Sequence, residues 1–163
     1  MTPKQTDRDA GAGTPIRVAV VGVGYWGPNL VRNLAESPVF EVAHLCDLRP
    51  EALEAIARRY PSIPCTTQFE EILRDGDVDA VAIATPVSTH HALAMSALEA
   101  GKHAFVEKPL AASSDQVIEL TELAEEKNLV LMPGHTFLYS PSVTTIKGLI
   151  DSGELGESHE SST

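Results

Sequence analysis

The sequence predicts an α/β protein built on a doubly wound parallel sheet, and three observations carry that prediction. Short apolar runs of strand length recur along the chain, each followed by a turn or a helix signal. The runs are continuously apolar, so both faces of the sheet need cover, which intervening helices supply through right-handed crossovers. No segment repeats at a fixed period, which sets solenoids and propellers aside.

Ile16 to Val21 is the first expected strand. It runs directly into Gly22, Val23, Gly24, Tyr25, Trp26 and Gly27, with a helix expected over about Pro28 to Glu36. Glu41 to Cys46 reads as the second strand, followed by a helix beginning near Pro50. A short strand at Ile63 to Thr66 is limited in its hydrogen bonding by Pro61 and Pro64. Ala80 to Ala84 is the next strand. Between Val87 and Ala100, Ala94, Ala97 and Leu98 share one helical face, and Gly101 is placed to end that helix in a left-handed conformation. His103 to Val106 and Leu129 to Met132 complete the strands. Between them Ser113 and Gln116 form a capping box, in which each side chain satisfies a free backbone N–H, and Val117, Leu120 and Ala124 fall on one face behind it. Ser140 followed by Pro141 fits an N-cap with a first-turn proline, and Gly153 fits a C-terminal cap.

Composition narrows the functions open to such a fold. A chain of 163 residues with 43% hydrophobic content suits one ordinary domain. A formal net charge of −11 repels phosphate backbones, so no nucleic-acid partner is expected. The apolar stretches, such as Val18 to Val23, fall far short of the roughly 20 residues that cross a bilayer, and no membrane partner is expected. Residues 1–14 read as a disordered leader without the apolar core of a secretory signal. Cys46 and Cys65 lack the spacing of a metal site or a disulfide framework and read as buried, reduced thiols, which favours the cytoplasm. His90 and His91 diverge by about 100° on a helix and cannot share a metal, so none is expected.

The candidate site gathers at strand ends. Gly22, Gly24 and Gly27 stand as Gly-x-Gly-x-x-Gly between an apolar strand and a helix, the setting of a dinucleotide-binding turn. There the first glycine permits the tight turn, the second lets the backbone approach a pyrophosphate, and the third lets helix and strand pack closely, while the helix N-terminus faces the phosphates. Three glycines alone are equally a plain turn. Asp47 ends the next strand about 20 residues on, where a carboxylate accepts from both hydroxyls of an adenosine ribose. A 2′-phosphate there would meet like charge, which favours NAD over NADP. Two alternatives stay open: Asp47 caps the helix near Pro50, or Arg49 pairs with a 2′-phosphate. Thr85 and Pro86 follow a strand at the same sheet edge, where a structural turn is the alternative. Glu107, Lys108 and Pro109 follow the next, and the proline keeps Lys108 out of helical geometry. Tyr25 and Trp26 read either as an aromatic lid or as packing for the first helix.

Three stretches, Gly22-Val-Gly-Tyr-Trp-Gly27, Ala84-Thr-Pro86 and the run from Ala100 to Pro109, AGKHAFVEKP, carry a resemblance, the last being the most specific. From Ile16 to about Gly156 the chain resembles the glucose-fructose oxidoreductase, inositol dehydrogenase and rhizopine-catabolism family of sugar oxidoreductases. The resemblance implies a Rossmann cofactor domain over residues 15–156, with NAD as cofactor and NADP the lesser alternative. It implies Glu107 and Lys108 beside the nicotinamide ribose and the substrate hydroxyl. Lys108 is then the catalytic residue, positioning the hydroxyl and stabilising its developing negative charge. It also implies His90 at the cofactor edge. His135, within Met132-Pro-Gly-His-Thr-Phe137, is either a neighbour of the nicotinamide or substrate or a core or loop histidine. Tyr25 to Leu30 and Gly134 to Pro141 are similar to branches acting on sugars of the UDP-N-acetylglucosamine type at the 3-hydroxyl. Family members are two-domain enzymes whose proton-accepting histidine belongs to a second, α+β domain. The sequence is expected to stop before that domain, with residues 157–163 a polar tail. Two functional readings follow: a sugar oxidoreductase domain acting on a sugar or nucleotide sugar, or an NAD-binding module without turnover. Whether it forms a homo-oligomer is left open.

Overall fold

The computed structural model describes residues 13–154. All but residues 13 and 14 of the expected leader, and the whole expected tail, lie outside the described residues. The chain divides into two compact units, the first ending at Pro133 and the second beginning at Gly134.

The first unit is a six-stranded, wholly parallel sheet. Its strands are β1 (Ile16–Val21), β2 (Phe40–Cys46), β3 (Cys65–Thr66), β4 (Ala80–Ile83), β5 (His103–Val106) and β6 (Leu131–Pro133), in the order β3-β2-β1-β4-β5-β6. The connecting helices are α1 (Gly27–Glu36), α2 (Pro50–Ala57), α3 (Phe69–Arg74), α4 (Val87–Glu99) and α5 (Ser114–Glu126). Successive side chains of a strand point to opposite faces, and β1 divides accordingly. Val18 and Val20 pack with Leu45 against Val31 of α1 and Leu53 and Ile56 of α2. Ala19 and Val21 pack with Ile83 and Val106 against Ala94 and Leu98 of α4 and Leu120 of α5. Two cores, one on each face, make the sheet doubly wound as its continuously apolar strands predict.

The local signals hold with informative exceptions. Gly101 and Gly153 adopt φ of +77° and +75°, the left-handed geometry expected after α4 and near the end of the described chain. Ser113 accepts from the Gln116 N–H at 3.4 Å, but the Gln116 side chain accepts from Ala112 N–H at 3.1 Å and not from Ser113. The last strand begins two residues later than the apolar run suggests. Asn128 turns at φ +53° and Leu129 N–H returns to Ala124 O at 2.8 Å, so Leu129 closes helix α5. Helix α3 is not marked by the sequence: six residues are too few to show a helical period, although Ile72 is fully buried.

The second unit holds a 3-10 turn, Thr136–Tyr139, and α6 (Pro141–Asp151). Ser140 stands at the N-cap position with proline after it as expected, but its side chain makes no capping bond. No helix among the described residues is long and apolar enough to cross a membrane.

Candidate functional site

The glycine turn is built by exclusion of side chains. Gly22 N–H donates to Cys46 O at 2.7 Å and its φ is +87°. A Cβ there would stand 2.8 Å from the Ala84 carbonyl and from Thr85 Cγ2, so the turns after β1 and β4 meet with nothing between them. A Cβ on Gly27 would stand 2.0 Å from Gly22 O, which is why α1 can start directly against the turn. Gly24 differs: a Cβ would meet only the end of the flexible Arg49 side chain. The turn therefore presents main chain to whatever lies over Gly24. Trp26 is the N-cap residue of α1 without a side-chain capping bond and is half-exposed. Tyr25 is 97% exposed, so packing of the first helix does not account for it.

Asp47 follows β2 and is only 8% exposed. Its Oδ2 accepts from Val23 N–H at 3.0 Å, and its Oδ1 accepts from Arg49 N–H at 3.0 Å and Arg49 Nε at 3.1 Å. Burial pushes its carboxyl pKa up, but the hydrogen bonds from Arg49 and Val23 outweigh burial and hold it below the ordinary value. The residue is an ionised carboxylate tied to the glycine turn. It does not cap α2, whose N-cap residue is Arg49. Arg49 also lines a cavity of about 390 Å³ with Val23, Gly24, Pro28, Ala52 and Ile56. Next to Asp47, burial pushes the Cys46 thiol up to about 11. Cys65, also expected to be buried, is exposed instead, because it lies on the two-residue strand β3 at the edge of the sheet.

Beyond the last residues of β4 and β5 the backbone ladder continues through Ala84 N–H to Val21 O at 2.8 Å and Glu107 N–H to Ile83 O at 2.9 Å. The Thr89 hydroxyl lies 2.7 Å from Thr85 Oγ1 and 2.8 Å from Pro86 O, folding the first turn of α4 onto that segment. Glu107 is half-buried and its Oε2 accepts from Lys108 N–H at 3.3 Å. Lys108 is exposed, and the Lys108–Pro109 peptide is cis. His90 is buried at 2% exposure, with Nδ1 at 2.8 Å from Pro109 O and Nε2 at 2.8 Å from Thr85 O. Its ring meets two main-chain segments of the site and is itself enclosed.

Asp47, Gly22, Ala84 and Glu107 thus each follow directly on a strand, in the spatial order β2-β1-β4-β5. At about 4.8 Å per strand the row spans about 14 Å. Strand order reverses between β1 and β4, where open α/β sheets form a binding crevice beyond their carboxyl ends. His135 belongs to the second unit, where it precedes the 3-10 turn and is exposed. Among the described residues no group of three or more His, Cys, Asp or Glu could hold a metal. His44 pairs with Asp75 at 2.9 Å and His91 with Glu119 at 2.8 Å, while His103 Nδ1 accepts from Val130 N–H.

One working residue escaped the sequence reading. Lys102, 6% exposed, donates through Nζ to Asp75 O and to Val78 O, the latter at 2.8 Å. Burial lowers its pKa, against the raising effect of Asp75, Asp79 and Asp77. It pins the loop before β4 at the end of the sheet opposite the crevice. Three aspartates crowded into Asp75 to Asp79 ahead of an isolated lysine are the one signal that could have found it.

Comparison with known proteins gives a consistent result. Residues 16–135 match the family model described as an oxidoreductase family with the NAD-binding Rossmann fold. The chain is 33% identical over 143 residues to scyllo-inositol 2-dehydrogenase (NAD(+)) of Bacillus subtilis, covering 87% of this chain and 42% of that protein. It is similar to the crystal structure of GenD2 from gentamicin A biosynthesis in complex with NAD, at a TM-score of 0.83 and 31% identity over 90% of this chain and 42% of that one. It is also similar to a variant of KijD10, a 3-ketoreductase from Actinomadura kijaniata, in complex with TDP-benzene and NADP, at a TM-score of 0.80 and 30% identity over 88% of this chain and 46% of that one. The chain spans about two fifths of the length of the curated relatives it matches.

Proposed function

The chain belongs to the oxidoreductase family of glucose-fructose oxidoreductase, inositol dehydrogenase and the rhizopine-catabolism proteins, and from that premise we propose that it is the cofactor-binding domain of a nicotinamide-dependent dehydrogenase acting on a sugar or cyclitol hydroxyl. The observation that carries this reading is the row of strand ends from Asp47 through the glycine turn to Lys108. The residues fit a dinucleotide. Asp47 is an ionised acceptor for ribose hydroxyls, Gly22 and Gly27 allow the close packing of the turn, and Gly24 leaves its main chain covered only by the flexible end of Arg49 ahead of the N-terminus of α1. Thr85, Pro86, Glu107 and Lys108 are left for the nicotinamide half, Tyr25 and Trp26 flank the turn, and His135 is a further candidate by resemblance alone.

NAD is the proposed cofactor, with NADP second, because the Asp47 carboxylate repels a 2′-phosphate. When bound, the nicotinamide ring accepts or donates the hydride. The chain's own contribution is electrostatic and positional. Lys108, exposed at the crevice, orients the reacting hydroxyl and stabilises the charge that grows on its oxygen, and Glu107 holds the Lys108 backbone N–H. Among substrates, the stretch from Tyr25 to Leu30 supports a sugar of the UDP-N-acetylglucosamine type, oxidised at the 3-hydroxyl.

The test is calorimetry with NADH and NADPH, then spectrophotometric turnover with inositols and UDP-N-acetylglucosamine sugars. NADH binding tighter than NADPH is the expected pattern, and any turnover the chain shows is expected to be lost in Lys108→Ala with NADH binding retained. Absence of binding to either cofactor would sink the reading.

A further inference from the structure

We propose that His90 is a positioning residue for the nicotinamide half of the site, its imidazole tying the segment after β4 to the segment after β5. This rests on the cofactor reading above. Thr85 and Pro109 lie on neighbouring strand extensions whose ladder runs as far as Glu107 N–H to Ile83 O. Past that bond the His90 ring bridges the two segments, at 2.8 Å to the carbonyl oxygen on each side. One of those carbonyls belongs to Thr85 itself, and the other is one peptide beyond Lys108. Beyond that last ladder bond, the His90 ring is the described side chain that joins the two proposed nicotinamide contacts.

The ring is held in its turn by a rigid element. His90 is the fourth residue of α4, and Ala94, Ala97 and Leu98 of the same helix are fully buried against the sheet. A buried ring in such a helix has little rotamer freedom, so the separation of the two carbonyls is fixed to the accuracy of a hydrogen bond. Carbonyl oxygens only accept. A neutral imidazole donates to one of them at a time, and a doubly protonated one donates to both. An apolar replacement leaves one carbonyl without its donor when the ring is neutral and both when it is doubly protonated, and removes the side-chain contact that joins the two segments.

The experiment compares binding of NADH with binding of ADP, which lacks the nicotinamide half, in the wild-type chain, His90→Phe and His90→Gln. The loss of a buried donor predicts that His90→Phe weakens NADH about tenfold and leaves ADP within about twofold, while His90→Gln recovers part of the NADH loss. A purely structural role would lower both affinities together, and that outcome, or unchanged NADH affinity, would overturn the proposal. Should His90→Phe fail to fold by circular dichroism, nitrogen-detected NMR of the wild-type imidazole decides. A ring N–H of His90 protected from exchange supports the tie, and ring protons exchanging as fast as those of exposed His135 overturn it. If the wild-type chain binds neither NADH nor ADP, the cofactor reading fails and this inference with it. If it binds both, a failure of the His90 pattern leaves that reading intact.

Discussion

Arg49 closes on the carboxylate of Asp47 from two directions, with its backbone N–H and Nε donating to Oδ1 and its Nη2 standing 3.3 Å from Oδ2. The oxygens proposed to receive ribose hydroxyls are thus already shared with a cation that has a cavity beside it. A ribose competes with Arg49 for those oxygens, whereas a 2′-phosphate gains the guanidinium as a partner. Arg49→Ala is expected to weaken NADPH about tenfold and to change NADH by no more than about twofold, as measured by calorimetry. Equal losses would remove Arg49 from cofactor discrimination.

Asp47 also gives the fold an acid limb. Its folded pKa lies below the unfolded value of about 3.9, so its contribution to stability is fully present above that pH and is lost as pH falls through the folded pKa. Asp75, lowered chiefly by the Asp77 backbone N–H and then by His44, acts in the same direction. Melting curves should show Asp47→Asn below wild type at pH 7, with the two converging as the pH drops below about 4. A gap that stays constant with pH would contradict this role.

The glycines separate stability from binding. Gly27→Ala places a Cβ against Gly22 O, and overpacking of that kind costs about 3 kcal/mol, or roughly 10 °C in Tm for a domain of this size. Gly24→Val needs only Arg49 to move, so its melting temperature should stay within about 3 °C of wild type while NADH binding is lost. Thermal melts paired with calorimetry on both variants check the contrast.

The two thiols should differ sharply. Cys46 is buried with its pKa pushed up to about 11, whereas Cys65 is exposed, although partial desolvation raises its thiol as well. Since the thiolate is the nucleophile, a chromogenic disulfide reagent at pH 8 should titrate one thiol in the folded chain and both in guanidinium chloride. Two thiols reacting at equal rates in the folded chain would show that the β2 end opens readily.

Much of this architecture is written in the sequence. The sheet is legible because strands buried on both faces lose the alternation of a one-sided sheet, and Asp47 stands out because a carboxylate is expected at the end of the strand about 20 residues past a dinucleotide-type glycine turn, where the structure has it bonded to Val23 N–H. The caps at Ser113, Gly101 and Gly153 are local, and local chemistry is readable without tertiary structure. What the sequence hides are the residues whose partners are distant backbone atoms. Nothing near His90 announces the carbonyl of Pro109, and nothing near Lys102 announces that of Val78. The shift of β6 has a related cause: Leu129 has the apolarity of a strand residue but spends it on closing α5.

Both oxygens engaged by His90 belong to the main chain, and every amino acid supplies the same atom. The bond from His90 to position 85 therefore does not itself ask for a particular side chain there, although the Thr85 side chain has contacts of its own with Thr89 and the Gly22 turn. Under the proposed tie, position 85 tolerates side-chain change more readily than position 90, where only a side chain that can donate to the two main-chain oxygens keeps part of the contact.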